Sequence, residues 1–280
     1  MPESMNSAQA SLQAQPIAVI GMACKFPGGA DSPQKFWDLL REGRSAWSNK
    51  CPPGRFNLDA HWHPQGDMNG TLNVQGGHFI TEDLAAFDAP FFNISAAEAR
   101  AIDPQQRLTL ESAFEAMESA GIPTRSLVGS RTCVFVNLYN LDYSYITSRD
   151  PEDISKYQTI GTGSALIANR ISYFFDLKGP SITLDTGSSG SMIALHQACQ
   201  SIKSGESSMA IVAAATLILD PLPMVGMTHM GYVFDVMHYN PHRVELRTDS
   251  LSSAFCRSQA DLSHSMTERP ATAVAKELPP

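Results

Sequence analysis

The run of residues from Ser181 to Leu219 constrains the fold of this chain more than any other part of the sequence. It starts with a short apolar strand at Ser181–Leu184. A turn of small residues follows, and a helix is then predicted from about Ser189 to Ser204. Met209 to Leu219 is nearly all apolar, which is typical of a strand covered on both faces. Strands that alternate with helices in this way predict an α/β layer structure with a largely buried sheet.

The same alternation occurs upstream, where apolar runs are separated by segments with helical periodicity. Asp103 is expected to cap a helix that has Pro104 in its first turn and ends at Gly121. Further strands and helices are predicted at residues 17–21, 32–43, 132–136 and 163–173. The helix after the small-residue turn is predicted to carry one face of larger apolar side chains, namely Met192, Leu195, Cys199 and Ile202.

Composition limits the class of protein and its partners. Of the 280 residues, 20 are Lys or Arg and 28 are Asp or Glu, and the net charge of −8 argues against a nucleic-acid-binding surface. No apolar run approaches the roughly 18 residues of a membrane span, and residues 1–15 lack the pattern of a secretory signal. The five cysteines have neither disulfide nor zinc-ligand spacing, and His61 and His63 bring no third metal ligand. We therefore expect a reduced, cytoplasmic protein without a metal.

The sequence divides into three parts. Residues 1–15 are polar and are predicted to be disordered, whereas residues 16–234 carry the α/β pattern as one domain. From residue 235 to residue 280 no apolar period is sustained, and the last fifteen residues are mostly Ala, Thr, Pro and charged. We predict a divergent, poorly structured tail over residues 235–280.

The turn from Asp185 to Ser191, Asp-Thr-Gly-Ser-Ser-Gly-Ser, is the segment most suggestive of chemistry. Its first residues resemble the active-site loop of aspartic proteases, but that chemistry needs a second Asp-Thr/Ser-Gly, and none occurs. A serine-hydrolase elbow needs Gly-x-Ser-x-Gly, whereas Gly187 and Gly190 are only three residues apart. The interpretation without function is a helix start rich in glycine and serine.

Four segments of the chain form an ordered set of motifs: Pro16–Gly29 (PIAVIGMACKFPGG), Phe36–Gly43 (FWDLLREG), Phe87–Arg107 (FDAPFFNISAAEARAIDPQQR) and Ile167–Ser181 (IANRISYFFDLKGPS). Together they resemble the N-terminal half of the ketosynthase domain of modular and iterative polyketide synthases, and they are most like the fungal enzymes. The resemblance covers about residues 16–219 and fades by Phe234.

This resemblance implies an incomplete thiolase-like fold, the N-terminal half of an αβαβα layered domain. The family performs a decarboxylative Claisen condensation between an acyl group on an enzyme cysteine and a malonyl unit on an acyl carrier protein. Its cysteine lies in a turn usually written Asp-Thr-Ala-Cys-Ser-Ser-Ser, at a helix N-terminus that lowers the pKa of the thiol. Two histidines from the second half of the domain assist decarboxylation. No bound cofactor is implied.

Ser188 stands where the family has its nucleophilic cysteine. Cys199 lies eleven residues later, about three helical turns away, and does not replace it. The family's histidine loops, His-Gly-Thr-Gly-Thr and Asn-x-Gly-His, do not occur, and His229, His238 and His242 have other neighbours. We therefore expect a truncated ketosynthase-like protein of polyketide biosynthesis that has lost most condensation activity.

Two alternatives stay open. In the first, the chain is a non-catalytic module that binds a full-length polyketide synthase or an acyl carrier protein, or pairs as a homodimer. Loss of a covering layer would expose the apolar surface that such binding needs, on the helix after Ser188. In the second, Ser188 supports a weak acyltransferase or esterase-like activity, although no motif supplies its general base. No nucleic acid or membrane is expected as a partner.

Overall fold

A five-stranded mixed sheet organises the fold in the computed structural model, which describes residues 16–65, 68–230 and 271–277. The strands are β1 (Ile17–Cys24), β2 (Thr132–Leu138), β3 (Ser181–Leu184), β4 (Met209–Ala215) and β5 (Ala271–Glu277). Their order across the sheet is β1-β5-β4-β2-β3. β2 pairs in parallel with β3 and β4, whereas β5 is antiparallel to β1 and β4. The predicted α/β class is confirmed.

Helices cover both faces of this sheet. They are α1 (Pro33–Arg41), α2 (Ala96–Ala101), α3 (Pro104–Ser119), α4 (Asp142–Thr147), α5 (Gln158–Thr162), α6 (Leu166–Phe174), α7 (Gly190–Lys203) and α8 (Leu222–His229). One face of the sheet packs against α3 and α6, and the other packs against α7. Along β2, Val134 and Val136 join the first cluster while Cys133 and Phe135 join the second. This alternation is the two-residue period of a strand buried on both faces.

Local capping chemistry sets the start and end of α3, as the sequence predicts. The Asp103 carboxylate accepts a hydrogen bond of 2.7 Å from the Gln105 backbone N–H, and Pro104 occupies the first turn. At the other end Gly121 has a φ of +67°, the left-handed conformation that commonly terminates helices. Both signals lie within the segment itself, which is why the sequence alone reveals them.

The strand predicted from Met209 to Leu219 is shorter in the structure, where β4 ends at Ala215. Beyond that point the backbone leaves the sheet for side-chain acceptors. The Leu217 N–H donates to Gln105 Oε1 at 3.0 Å, and the Leu219 N–H donates to Asp142 Oδ2 at 2.9 Å. These bonds replace the ladder that a longer strand would need.

Within the predicted tail, the structure differs from the sequence interpretation. Residues 271–277 form β5, which lies between β1 and β4 and pairs with both. Val274 is fully buried and Ala275 nearly so. The segment Ala-Thr-Ala-Val-Ala-Lys-Glu has small side chains and a weak period, so its strand character comes from pairing on both edges. The predicted disorder of residues 1–15, and the rest of the predicted tail, lie outside the described residues.

Neither a transmembrane helix nor a metal cluster is found in the part of the chain that the structure describes. Over residues 16–65, 68–230 and 271–277, no helix is long and apolar enough to cross a membrane. In the same ranges no group of three or more His, Cys, Asp or Glu side chains is placed to hold a metal ion.

Candidate functional site

Ser188 lies where the carboxyl end of β3 turns into α7. Residues Gly187–Ser189 form a single 3-10 turn, and α7 starts at the next residue. β3 is an edge strand of the sheet, and it is parallel to β2. The predicted strand–turn–helix arrangement around Ser188 is therefore present, with boundaries within one residue of those expected.

Hydrogen bonds of its neighbours hold the turn in shape. The Asp185 carboxylate accepts from the Gly187 N–H at 2.9 Å, and Gly187 has a φ of +62°. Ser189 Oγ donates to the Thr186 carbonyl oxygen at 2.9 Å. The polar atoms on both sides of Ser188 are thus used within the turn, and Gly187 is favoured because a side chain at positive φ is strained.

The Ser188 side chain is exposed and has no hydrogen-bond partner among the residues that the structure describes. On the same helix, His196 follows eight residues later, about 12 Å further along the axis, and is exposed. A serine hydroxyl needs a base within hydrogen-bond reach to attack a thioester. No described side chain supplies that base.

A close approach between Gly190 and Asn137 fixes α7 to the end of β2. A Cβ atom added at Gly190 would lie 1.8 Å from Asn137 Oδ1, so only glycine fits at this first residue of the helix. Asn137 is 6% exposed, and its Oδ1 atom has no hydrogen-bond partner within the described ranges. The sequence analysis did not identify this pair. Its signal was an asparagine inside the apolar strand 132–138.

The faces of α7 differ from the predicted ones. The buried face is formed by small side chains, including Ala194 and Ala198, and by Ile202, which pack against β2 and β4. Met192 is 66% exposed and Ile193 is 38% exposed, so the larger apolar side chains near the start of the helix point away from the sheet. The predicted single face through Met192 and Ile202 is wrong, because close packing on the sheet selects the small side chains instead.

A buried polar network joins the loops that leave β2 and β4. Gln105 Nε2 donates to the Asn140 carbonyl at 2.9 Å, and Gln105 Oε1 accepts from the Leu217 N–H. Asn140 Nδ2 donates to the Leu217 carbonyl at 2.9 Å. The Asp142 carboxylate accepts from the Leu219 N–H in the same region. These bonds hold the two loops together beside the Ser188 edge of the sheet.

Burial changes the proton affinity of two carboxyl groups in this network. It raises the pKa of Asp103 to about 6, although hydrogen bonds from the backbone and side chain of Gln105 oppose the shift. Burial also raises the pKa of Asp142, and its bonds to backbone N–H groups oppose that shift. Both groups serve structure rather than Ser188, since their hydrogen bonds go to Gln105, Leu219 and Asp220.

Comparison with known families gives a match over most of the chain. The family described as "Beta-ketoacyl synthase, N-terminal domain" matches residues 14–260. This match extends beyond Phe234, where the sequence resemblance was expected to fade.

Two fungal synthases are among the similar curated proteins. The highly reducing polyketide synthase sdnO of Sordaria araneosa is 54% identical over 229 residues, which is 79% of this chain and 7% of that protein. The lovastatin diketide synthase lovF of Aspergillus terreus is 46% identical over 264 residues, 94% of this chain and 10% of that protein. The chain therefore spans about a tenth or less of the length of these relatives.

Solved structures with the same fold are bacterial ketosynthases. The oxazolomycin ketosynthase domain OzmH KS7 of Streptomyces albus JA3453 superposes with a TM-score of 0.76 at 29% identity, covering 93% of this chain and 43% of that one. The ketosynthase from module 6 of the bacillaene synthase of Bacillus subtilis 168 gives 0.71 at 26% identity, covering 94% and 40%. The thiolase-like fold implied by the sequence is confirmed.

Proposed function

Because the chain belongs to the β-ketoacyl synthase family and is similar to fungal polyketide synthases, we propose that it serves polyketide biosynthesis as a ketosynthase-like protein. In this proposal the Ser188 site does not perform decarboxylative Claisen condensation. The family's substrates, an acyl group and a malonyl unit carried on an acyl carrier protein, define the chemistry against which the site is tested.

The observation that carries the proposal is an exposed hydroxyl at Ser188, without a base, at the N-terminus of α7. A helix N-terminus lowers the pKa of a cysteine thiol from its usual value of about 8.5 toward neutrality, so that the thiolate attacks. A hydroxyl is far less acidic, and the same helix end does not ionise it at neutral pH. We propose that this position is the family's nucleophile position and that serine inactivates it.

The proposal is tested by incubating the protein with a short-chain acyl thioester and measuring the intact mass. We expect no adduct on Ser188 in the native chain, and a single added acyl group at this position in Ser188→Cys. Ser188→Ala is the control, because acylation of the native cysteines occurs equally in all three proteins. An adduct of the native chain that disappears in Ser188→Ala would instead support the weak acyltransferase activity and contradict the proposal.

A second function is favoured by exposed apolar surface at β3 and α7. Ile182 is 48% exposed on the edge strand, and Met192 and Ile193 lie on the outward side of α7. Exposed apolar groups on neighbouring elements mark surfaces that bind another protein. We propose that this surface binds the ketosynthase domain of a polyketide synthase, or a second copy of the chain.

The binding function is tested by co-purification with a ketosynthase domain and by light scattering of the chain alone. Met192→Asp should abolish association, because it places a charge on the apolar surface. Met22→Asp is the matched control, since Met22 is 53% exposed on β1 at the opposite edge of the sheet. A native protein that is monomeric and binds no ketosynthase domain would contradict this function.

We also propose a cytoplasmic location. It is supported by the thiols of Cys24, Cys51, Cys133 and Cys199, which are free cysteines in the described part of the chain. Burial raises the pKa of Cys24 to about 11, so that thiol is unreactive at neutral pH.

A further inference from the structure

Separately from the Ser188 site, we infer that a cavity beside α8 binds a small organic anion, a carboxylate that carries a short apolar chain. The cavity has a volume of about 300 Å³ and lies between three segments that are distant in sequence, residues 55–61, 146–149 and 219–222. This volume is at the lower end of the range for small-molecule sites. It suits a compact molecule rather than an extended nucleotide.

The polar groups at the cavity favour an anion. Arg149 and His61 line it, and the acidic residue in the lining is Asp220. The Asp220 side chain is 6% exposed and is occupied, because it accepts hydrogen bonds from Arg149 and from the Leu222 N–H. The Arg149 side chain is 61% exposed. Since a guanidinium carries five N–H donors, Arg149 retains donors for a ligand while it holds Asp220.

Arg55 adds a second guanidinium to the wall of the same cavity. It donates to the Ile80 carbonyl at 2.5 Å and to the Ile218 carbonyl at 3.4 Å. These acceptors are neutral, so they keep the group in place and leave its charge in the cavity. The local excess of positive charge contrasts with the net charge of −8 for the whole chain. Such a contrast concentrates anions at this surface.

Apolar side chains make up the remainder of the lining, and they exclude a purely inorganic anion as the best fit. Phe56, Ile146 and Leu219 line the cavity. Leu222, which also lines it, is 60% exposed, so a ligand with a hydrocarbon chain would cover apolar surface that is now in water. A carboxylate joined to an alkyl group satisfies both kinds of surface, because Arg pairs with carboxylates in a bidentate geometry.

The walls are fixed before a ligand binds. Asp142 Oδ2 accepts from the Leu219 N–H at 2.9 Å and from the Asp220 N–H at 3.3 Å. With the contacts of Arg55, these bonds fix the segment 218–220 from two sides. A site that is already formed does not lose affinity to ordering of its own loops.

Calorimetric titration of the full 280-residue chain with sodium hexanoate tests the inference. We expect saturable binding of one hexanoate per chain with a Kd of about 1 mM or tighter. Hexanamide, which has nearly the same shape without the charge, should bind at least tenfold more weakly. Inorganic phosphate should not displace hexanoate. Equal binding of hexanamide, displacement by phosphate, or an absence of saturable binding would each overturn the inference.

A pair of leucine variants locates the site. Leu222→Asp should weaken hexanoate binding at least tenfold, and an aspartate in the first turn of α8 is compatible with the helix. Leu40→Asp is the matched control, because Leu40 is 53% exposed on α1 and lies outside the cavity lining. Arg149→Lys keeps the pair with Asp220 but loses the bidentate fork, and it should weaken binding several-fold. Unchanged affinity in Leu222→Asp, with the fold verified by circular dichroism, would contradict the assignment.

Discussion

At the scale of single residues, the position of Ser188 depends on a contact that its own segment does not contain. Gly190 has no room for a Cβ because the Asn137 side chain occupies that space. The start of α7, and with it the turn that presents Ser188, is therefore set by the end of β2. Replacement of either residue changes the placement of a hydroxyl that neither one touches.

We expect Gly190→Ala to lower the free energy of unfolding by about 1–3 kcal/mol, the usual cost of overpacking a buried site. Chemical denaturation measures this change. Asn137→Ala removes the three atoms that a Cβ at position 190 would meet. The double variant Gly190→Ala/Asn137→Ala should therefore be more stable than Gly190→Ala alone. A double variant that is no more stable would show that the contact does not set the limit.

The buried carboxyl of Asp103 predicts a pH dependence of stability. Its pKa is raised from 3.8 to about 6 by burial, so the folded state binds this proton more tightly than the unfolded state. The contribution of Asp103 is therefore fully present below the unfolded pKa and is lost as the pH rises through about 6. Asp103→Asn keeps an oxygen that accepts from the Gln105 N–H but does not ionise.

Thermal unfolding of Asp103→Asn and the native chain between pH 4 and 7 measures this effect. Relative to the native chain, the variant should gain stability as the pH rises, by up to about 3 kcal/mol at the rate of about 1.4 kcal/mol per pKa unit. Asp88→Asn is the control, since Asp88 is exposed and accepts from the Phe91 N–H in a similar way. A variant whose stability runs parallel to that of the native chain would contradict the shift.

At the scale of secondary structure, the sequence predicts the elements whose signals are local. The capping residues of α3 and the strand–turn–helix around Ser188 are examples, because each is determined within a few residues. The end of β4 depends instead on acceptors supplied by Gln105 and Asp142. β5 depends on the edges of β1 and β4, and its own residues are too small and too weakly patterned to reveal it.

The central place of β5 predicts that residues 271–277 are essential for folding. Val274 is fully buried between the two neighbouring strands, so Val274→Asp places an uncompensated charge in the core. We expect loss of soluble protein or a fall in unfolding free energy of more than about 3 kcal/mol. Lys276→Asp is the control at an exposed position of the same strand. Equal stability of the two variants would mean that β5 is not part of the folded sheet.

At the scale of the whole molecule, a complete three-layer arrangement coexists with apolar surface that is left in water. One helix layer is formed by α3 and α6 and the other by α7, with the sheet between them. The outward side of α7 and the free edge of β3 carry Met192 and Ile182, both largely exposed. These elements surround Ser188, so association with another protein and the chemistry at Ser188 concern the same side of the molecule.

The most direct test of the central claim is an assay for carbon–carbon bond formation. The protein is supplied with an acyl thioester and a malonyl thioester, and condensation product and carbon dioxide are measured by mass spectrometry and a coupled assay. We predict that the native chain forms no product and releases no more carbon dioxide than Ser188→Ala. Product formation by the native chain that Ser188→Ala lacks would contradict the claim that serine at this position ends condensation chemistry.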